Sequence, residues 1–399
     1  MIGEEMKIRS GLMHPKRMQE YNAYIVLQLI KNKGPLSRAD ISRELNCSRS
    51  AVSSIISWLE DYNLTQVVGI GNPRTGQKSK LLSFNPKAYC LAAVDIKLTK
   101  KIFALVDLAG DVITLLKVKE QGTNPVQSIK SIVKNMDILL RKSGIHLDMI
   151  KGLGITIPGI VDTEKGRVIY SSSLSWDKPV DISEELAKSI NIPVHVVNDA
   201  NALALGEAWV GKGSSYSDVA YIFTGRGVGG AYIHNNEIFK GTDYAFAEFG
   251  KIIISSPDGP IRAEEALSFP RILSLYKKEL DAKTMTNEEI TEMISEIVQQ
   301  KNNRTKKIIE RILDKLSQLV ATIVAILNPE AIILNCPYVV SEKGMLDALN
   351  RKVIEYLPML PRRTVNIMLS SLGEKCEVIG GAAVALSKCN LKIIINGKY

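Results

Sequence analysis

A short apolar strand that is followed at once by two polar side chains and a helix restricts the fold of this chain most. Residues 193–197 are short, apolar and rich in valine, so they predict a buried strand. The helical run 200–210 follows directly, which places Asn198 and Asp199 at the carboxyl end of that strand. Open α/β sheets bind ligands at this end. A carboxylate there can accept a hydroxyl proton or a hydrogen bond, while an Asx-capped turn without a ligand is the alternative.

A glycine-rich segment follows the next predicted strand, residues 219–223. It comprises Thr224-Gly225-Arg226-Gly227-Val228-Gly229-Gly230, and Ala247-Glu248-Phe249-Gly250 comes shortly after it. Glycines let backbone N–H groups approach an oxyanion or a hydroxyl closely. The segment therefore predicts a second ligand-facing loop.

The order and spacing of these motifs resemble the ROK family, which groups sugar kinases with sugar-responsive repressors on one actin-like fold. The resemblance covers roughly residues 88 to 388. It implies that Asp199 corresponds to the base that acts on the sugar hydroxyl in the kinases. It also implies that Asn198 and Glu248 face the sugar.

Three positions on the sugar side depart from the family pattern or are hard to place. Ser173 stands where the family has an asparagine that touches the sugar, and Lys251 stands where it has a histidine. We expect Lys251 to pair with Glu248, with an anionic or differently oxygenated ligand as the alternative. Glu264 aligns with the family's last hydroxyl-binding glutamate, and a helix-capping or solvated glutamate is the competing interpretation.

The nucleotide side departs further. The family's first phosphate hairpin, Asp-x-Gly-Gly-Thr, is Asp95-Ile96-Lys97-Leu98-Thr99 here, Arg226 replaces a threonine, and Asn335-Cys336-Pro337 replaces a glycine pair. Proline has no N–H to offer a phosphate, and cysteine adds bulk. Gly380-Gly381 is retained, and we expect it to open the last helix. These replacements predict that the chain binds no nucleotide cofactor. The family's zinc-binding cysteines are also missing, so we predict no structural zinc.

The amino-terminal fifth of the chain is basic. Residues 1–87 hold thirteen Lys and Arg against seven Asp and Glu, so +6 of the net charge of +9 lies there. Three helices, at 21–32, 37–45 and 48–62, precede two strands that flank a glycine-rich basic loop, 71–78. This is the order of a winged helix-turn-helix, whose third helix contacts bases. The residues predicted to contact DNA are Ser48, Arg49, Ser50, Ser53, Arg74 and Lys78. A small helical interaction domain is the alternative.

We therefore predict an α/β chain with an N-terminal winged helix-turn-helix at 1–87. A two-lobed actin-like (ribonuclease H-like) body of the ROK sugar-kinase type follows. The first lobe comprises 88–198 with 380–399, and the second comprises 199–379. A membrane-spanning run and a signal peptide are absent, and the five cysteines are scattered. We expect a cytoplasmic protein without metal or membrane partner.

The predicted function is a sugar-responsive transcriptional regulator of carbohydrate-utilisation genes, acting as a repressor. A homodimer or tetramer would bind an inverted repeat in double-stranded DNA, and a sugar or polyol effector would bind between the lobes. The effector could be a pentose, an amino sugar or a cyclitol. The alternatives are an active sugar kinase that carries a DNA-binding head, and a constitutive DNA-binding protein with a vestigial body.

Overall fold

A computed structural model describes most of the chain. It covers residues 15–71, 79–120, 124–235, 237–276, 285, 287–300, 302–340, 344–357, 366–389 and 395. The predicted loop residues Arg74 and Lys78 lie outside this part. Within it, every helix is too short or too polar to span a bilayer.

The amino-terminal head has the predicted three helices and two strands. Its elements are α1 (Pro15–Lys33), α2 (Arg38–Glu44), α3 (Arg49–Asp61), β1 (Thr65–Gly71) and β2 (Ser79–Phe84). A capping box opens α2, because Ser37 accepts the Asp40 backbone N–H while Asp40 accepts the Ser37 N–H. In α3, Val52, Ile56 and Leu59 are fully buried. The head thus folds around one face of α3 and leaves the opposite face outward.

The head and the body share one hydrophobic core. Buried residues of α1 and α3 belong to the same cluster as residues 91, 93, 102 and 104 of the body. Lys31 of α1 lies over the Phe84 ring, with its Nζ 4.3 Å from the ring centre. Ile395, far along the chain, is buried in the same cluster, and its carbonyl accepts a hydrogen bond from Gln28. This junction is therefore packed and is not a linker.

The first lobe is built on a five-stranded sheet. Its elements are β3 (Cys90–Ile96), β4 (Lys100–Asp107), β5 (Val112–Lys119), α4 (Pro125–Ser143), β6 (Ile150–Ile157), β7 (Ile160–Asp162), β8 (Arg167–Tyr170), β9 (Val180–Asp181), α5 (Ile182–Ala187) and β10 (Val194–Asn198). The strand order is β10-β6-β3-β4-β5, in which β10, β6 and β3 are parallel. Strands β7, β8 and β9 form a separate small sheet after β6.

The second lobe is built on another five-stranded sheet. Its elements are α6 (Asp199–Val210), β11 (Val219–Thr224), β12 (Val228–His234), β13 (Glu237–Ile238), β14 (Ile253–Ile254), β15 (Ile261–Arg262), α7 (Ala263–Leu267), α8 (Phe269–Tyr276), α9 (Asn287–Gln299), α10 (Asn303–Leu327), β16 (Ala331–Asn335), α11 (Pro337–Val340), α12 (Met345–Tyr356) and β17 (Asn366–Leu369). Helix α13 (Cys376–Lys388) then packs on β3 and β6 of the first lobe. The strand order is β13-β12-β11-β16-β17.

The retained glycine pair of α13 has a different role from the predicted one. Gly380 and Gly381 lie in the second turn of α13 and do not open it. A Cβ at Gly380 would lie 2.6 Å from the Ala202 carbonyl oxygen of α6, and a Cβ at Gly381 would lie 2.9 Å from the Ala93 Cβ. The two glycines therefore let α13 cross α6 and the first sheet at close range. The helix begins at Cys376, four residues before Gly380.

Candidate functional site

Three parallel strands place polar side chains at one edge of the first sheet. Asp95 at the end of β3 is opposite Thr156 of β6, and Asn198 at the end of β10 is opposite Ile157 of β6. Asn198 caps α6, because its Oδ1 accepts from the Ala200 N–H at 2.9 Å. Its Nδ2 donates to the Gly159 carbonyl at 2.8 Å. The predicted strand-end position of Asn198 is confirmed, and the Asx cap also forms.

Asp199 is partly exposed at the same edge, and its carboxyl group has a raised pKa. Its Oδ1 accepts from the Ala200 N–H at 2.9 Å. Burial and, second, the neighbouring Asp95 carboxylate raise the pKa of Asp199 to about 6. A carboxyl group with this pKa exchanges its proton near neutral pH. Asp199 is therefore suited to hydrogen-bond a hydroxyl, and its charge depends on pH in the physiological range.

The turn that carries Ser173 is tied to the same edge. Ser171 donates its hydroxyl hydrogen bond to the Pro158 carbonyl at 2.6 Å, and Ser171 pairs with Trp176 across the turn. Gly159, next to Pro158, has φ of +134°, and a Cβ there would lie 2.3 Å from the Tyr170 carbonyl oxygen. Ser173 itself is exposed. Pro158 and Gly159 thus connect the Ser173 turn to Asn198.

Glycines fix the segment that carries Glu248 against β12. A Cβ at Gly230 would lie 2.2 Å from Phe249 Cδ2, and a Cβ at Gly250 would lie 2.2 Å from the Val228 carbonyl oxygen. Glu248 is exposed, and its carboxylate makes neither a hydrogen bond nor an ion pair within the described part of the chain. Ala247, in place of the family's glycine, has φ of +63°, a backbone region that glycine favours.

The expected pairing of Lys251 with Glu248 is wrong. Lys251 Nζ instead contacts both carboxylate oxygens of Glu264, at 2.7 and 2.8 Å. The reason is strand register, because β14 and β15 pair Ile253 with Arg262, and this register sets position 251 opposite 264. The Ala263 N–H also donates to the Ile252 carbonyl. Glu264 is thus neither a cap nor a free carboxylate.

The six effector-side residues therefore form two groups. Asn198, Asp199 and the Ser173 turn lie together on the first-lobe side. Glu248, Lys251 and Glu264 lie together on the second-lobe side. Strand β12 lies next to both groups, since a Cβ at Gly229 would lie 3.4 Å from the Ala200 Cβ while Gly230 contacts Phe249.

The nucleotide side contains an internal ion network that the sequence analysis missed. Lys97 forms an ion pair with Glu377 in the first turn of α13, and its Nζ lies 3.6 Å from Asp95 Oδ2. Asp95 is buried, and its Oδ2 has no hydrogen bond in the described structure. Its Oδ1 accepts the Thr156 hydroxyl. Lys97 therefore neutralises two carboxylates at the position where the resemblance places nucleotide phosphates.

The other residues that replace the family's phosphate-binding positions also make contacts within the chain. The Arg226 guanidinium donates to the Met285 carbonyl, Cys336 is buried, and Pro337 begins α11. A cavity of about 20 Å³ lies between α6 and the second sheet, where Ala200, Leu203, Tyr221, Asn335 and Cys376 help to line it. That volume holds about one water molecule.

A structural zinc does not fit the residues that are present. Lys251 stands where the family has a zinc-facing histidine, and its ammonium pairs with the Glu264 carboxylate. Over the described residues, three His, Cys, Asp or Glu side chains nowhere come together in a way that could hold a metal ion. Among the residues that the structure describes, Lys251 therefore offers an ammonium where a zinc site would need a neutral donor.

The outward face of α3 carries the predicted DNA-contacting residues. Ser48 caps the helix by accepting the Ala51 N–H at 3.2 Å. Ser48, Arg49 and Ser50 are exposed, and Ser53 is partly exposed. Within the described part of the chain, the Arg49 guanidinium has no ion-pair partner. This face can therefore approach phosphates and base edges.

A buried carboxylate that the motif analysis did not assign ties α6 to the segment that precedes α13. Glu207 of α6 accepts hydrogen bonds from the Ser370 hydroxyl, the Ser371 N–H and the Lys212 N–H. Residues 370–372 connect β17 to α13, so Glu207 fixes α6 to that connection. Its signal in the sequence was a charged residue inside an apolar helix.

Comparisons with known proteins agree with this architecture. The xylose repressor of Caldicellulosiruptor bescii is 26% identical over 389 residues, which cover 93% of this chain and 96% of that protein. The glucokinase of Thermotoga maritima is 26% identical over 307 residues, 70% of this chain and 95% of that protein.

A crystal structure described as a ROK family transcriptional regulator, homologous to the Mlc protein of E. coli, has the same fold. It superimposes with a TM-score of 0.73 at 20% identity and covers 96% of this chain and 98% of its own. The ROK family matches residues 91–388, about three quarters of the sequence. This chain belongs to the ROK family.

Proposed function

We propose that this protein is a sugar-responsive transcriptional repressor of carbohydrate-utilisation genes. The observation that carries the proposal is the asymmetry of its cleft beneath a DNA-binding head. Asp199 and Glu248 remain available on the effector side, whereas Lys97 is held by two carboxylates on the nucleotide side. Recognition of a sugar is thereby kept without the phosphate contacts that transfer requires.

The effector binds between the lobes, in contact with Asn198, Asp199, Glu248 and Ser173. Lys251 and Glu264 form one ion pair at its second-lobe margin. The name of the C. bescii relative supports a pentose, with D-xylose as the first candidate. The lobes comprise 88–198 with 380–399, and 199–379, so that α6 starts at the boundary between them.

The head, residues 1–87, binds double-stranded DNA through Ser48, Arg49, Ser50 and Ser53, with Arg74 and Lys78 on the wing. A homodimer or tetramer places two such heads on an inverted repeat. Effector binding changes the angle between the lobes and hence the spacing of the heads. A coupling free energy of about 1–3 kcal/mol changes operator affinity about 5- to 150-fold. A protein with this role acts in the cytoplasm.

The test is a titration of a labelled fragment from the gene's own upstream region at fixed salt. The protein is added alone and with D-xylose, D-glucose, an amino sugar or a cyclitol. We expect tight binding that one of these compounds weakens. Binding that no compound changes would support a constitutive DNA-binding protein instead.

A sugar kinase with a DNA-binding head is the second candidate. It is favoured by Asp199, whose pKa of about 6 suits a general base, and by the similarity to a glucokinase. ATP consumption with the same sugar panel tests it. Turnover that Asp199→Asn abolishes would establish the kinase, whereas no turnover above the rate without sugar is expected.

A further inference from the structure

Helix α6 reaches from the effector edge to the core that supports the head. It begins at Asp199 and ends at Val210, so its 12 residues span about 18 Å. Its last turn contains Trp209, which is 7% exposed and belongs to the hydrophobic cluster that the head shares with the first lobe. The helix that starts in the candidate site therefore ends where the DNA-binding head is attached.

The last residue of α6 lies against the turn between β4 and β5, residues 107–111. Gly110 of this turn has φ of +88°, and a Cβ there would lie 2.9 Å from Val210 Cγ1 and 3.0 Å from Val210 Cγ2. The turn is held by Asp107, whose Oδ1 accepts the N–H groups of Ala109 and Asp111, both at 2.9 Å. Glycine is needed at position 110 both for the backbone conformation and for the approach of Val210.

The same turn is hydrogen-bonded to the head. The Leu108 N–H donates to the Pro86 carbonyl at 3.0 Å, and the N–H of the preceding Asn85 donates to the Leu64 carbonyl at 2.9 Å. The Leu64 N–H in turn donates at 2.9 Å to the carbonyl of Leu59 in the last turn of α3. A continuous series of contacts thus joins the end of α6 to the helix with the DNA-facing residues.

Between its two ends, α6 crosses α13 at close range. A Cβ at Gly206 would lie 3.1 Å from the Gly380 nitrogen, and a Cβ at Gly380 would lie 2.6 Å from the Ala202 carbonyl oxygen. Packed helices interlock through ridges of side chains, and glycines contribute none. Glu207, the next residue of α6, is hydrogen-bonded to residues 370 and 371. The crossing is therefore a fixed point about which α6 can tilt.

We propose that α6 is the lever that carries the effector state to the head, with Val210 and Gly110 as its head-side contact. Effector binding at Asp199 moves the first turn of α6, the helix tilts about its crossing with α13, and Val210 is displaced against the turn at 107–111. Because that turn is bonded to the head, the displacement changes the angle between the second lobe and the unit formed by the head and the first lobe. Val210 and Gly110 are thus positioning residues. This role rests on the proposed function, since it names the route by which the same effector acts.

Thermal unfolding of the full-length protein tests the contact. The variants are Gly110→Ala, Val210→Ala and the double variant, with Val126→Ala at an exposed position of α4 as the matched control. Gly110→Ala should lower the Tm by roughly 2–5 °C, because its Cβ meets Val210 and its φ is positive. Val210→Ala should raise the Tm more in the Gly110→Ala background than in wild type, because it removes both methyl groups that the new Cβ meets. Strictly additive shifts would overturn the contact.

Mobility shifts and calorimetric titration test the lever, with D-xylose, D-glucose, an amino sugar and a cyclitol as the compounds. Val210→Ala should keep the affinity for the accepted compound within about twofold of wild type, since Val210 lies at the far end of α6 from Asp199. The ratio of DNA affinities without and with that compound should shrink about three- to tenfold. Linkage requires that DNA change the affinity for the compound correspondingly less in this variant. Val126→Ala should respond as wild type does.

The outcomes separate the lever from the proposed function. A Val210→Ala protein with the full response to the compound would overturn the lever and leave the proposed function intact. Loss of compound binding in this variant would show that Val210 acts on the cleft itself, which also overturns the lever. Wild-type DNA binding that none of the compounds changes would overturn the proposed function and the lever with it, whereas the thermal comparison still decides whether α6 rests on the turn at 107–111.

Discussion

The two sides of the interlobe cleft differ in whether their polar side chains find partners within the chain. On the effector side, Glu248 stays exposed without a protein partner and Asp199 keeps a free carboxylate oxygen in the described structure. On the nucleotide side, Lys97 joins Asp95 to Glu377. One side offers polar groups to a ligand, and the other satisfies its polar groups within the chain.

Under the proposed function, this difference lets a kinase-like scaffold bind a sugar without transferring a phosphoryl group. Sugar hydroxyls are bound by a few side chains at strand ends, and each can be kept independently. A nucleotide needs backbone N–H groups at close range, which glycines allow and larger residues hinder. The nucleotide side is therefore the easier one to lose.

The largest expected effect is that of Asp199→Ala. Removing the carboxylate leaves effector hydroxyls without an acceptor, so sugar affinity should fall by about 100-fold or more. Titration calorimetry measures this, and mobility shifts should show unchanged DNA binding that no longer responds to sugar. Asp148→Ala, an exposed aspartate elsewhere, is the control. A simultaneous loss of DNA binding in Asp199→Ala would contradict the assignment of Asp199 to the cleft alone.

The charge reversal Arg49→Glu tests the DNA-binding role of the head and should leave the cleft unaffected. Arg49→Glu places a carboxylate against phosphates, and DNA affinity should fall about 10- to 100-fold at matched salt. Sugar affinity should not change. Arg141→Glu on α4 makes the same change in net charge far from the head and should leave DNA binding nearly intact. Equal DNA binding by Arg49→Glu and wild type would refute the assignment of α3.

The pH dependence of sugar binding sharpens the role of Asp199. Because its pKa is raised to about 6, the carboxylate predominates above that pH and the neutral acid below it. Binding that needs the carboxylate is therefore nearly full at about pH 7, half-maximal near pH 6, and weakens by about tenfold between pH 7 and pH 5. Affinity measured in Asp199→Asn should be weak and flat over this range. A flat profile in the wild type would assign the hydroxyl contact to other groups.

The smallest effect on sugar binding is expected from Lys97→Met. Without the ammonium, Asp95 keeps a buried charge that has no cation, so the free energy of unfolding should fall by about 1–3 kcal/mol. Thermal or denaturant unfolding measures this loss. At pH 8, where Asp199 is ionised, sugar affinity should stay within about threefold of wild type. A large loss of affinity would mean that the two sides of the cleft are not independent.

Much of the effector edge was predictable because strand ends have a simple signature. A buried valine-rich run followed by Asn198, Asp199 and a helix fixes both side chains locally, and the capping box at Ser37 is equally local. The buried stripe of α3 followed from helical spacing.

Contacts between distant segments were not predictable in this way. Lys251 pairs with Glu264 because two short strands set the register across a turn. Strands of two residues are too short to leave a recognisable hydrophobic pattern in the sequence. The ion pair of Lys97 with Glu377 joins residues 280 positions apart.

The shared core of head and first lobe determines how this protein can come apart. Because α1, β3, α13 and Ile395 pack into one cluster, the head is not a detachable module. Head and first lobe are expected to melt as one cooperative unit, and the second lobe has a core of its own. We therefore expect the head and the first lobe to move as one unit when the angle between the lobes changes.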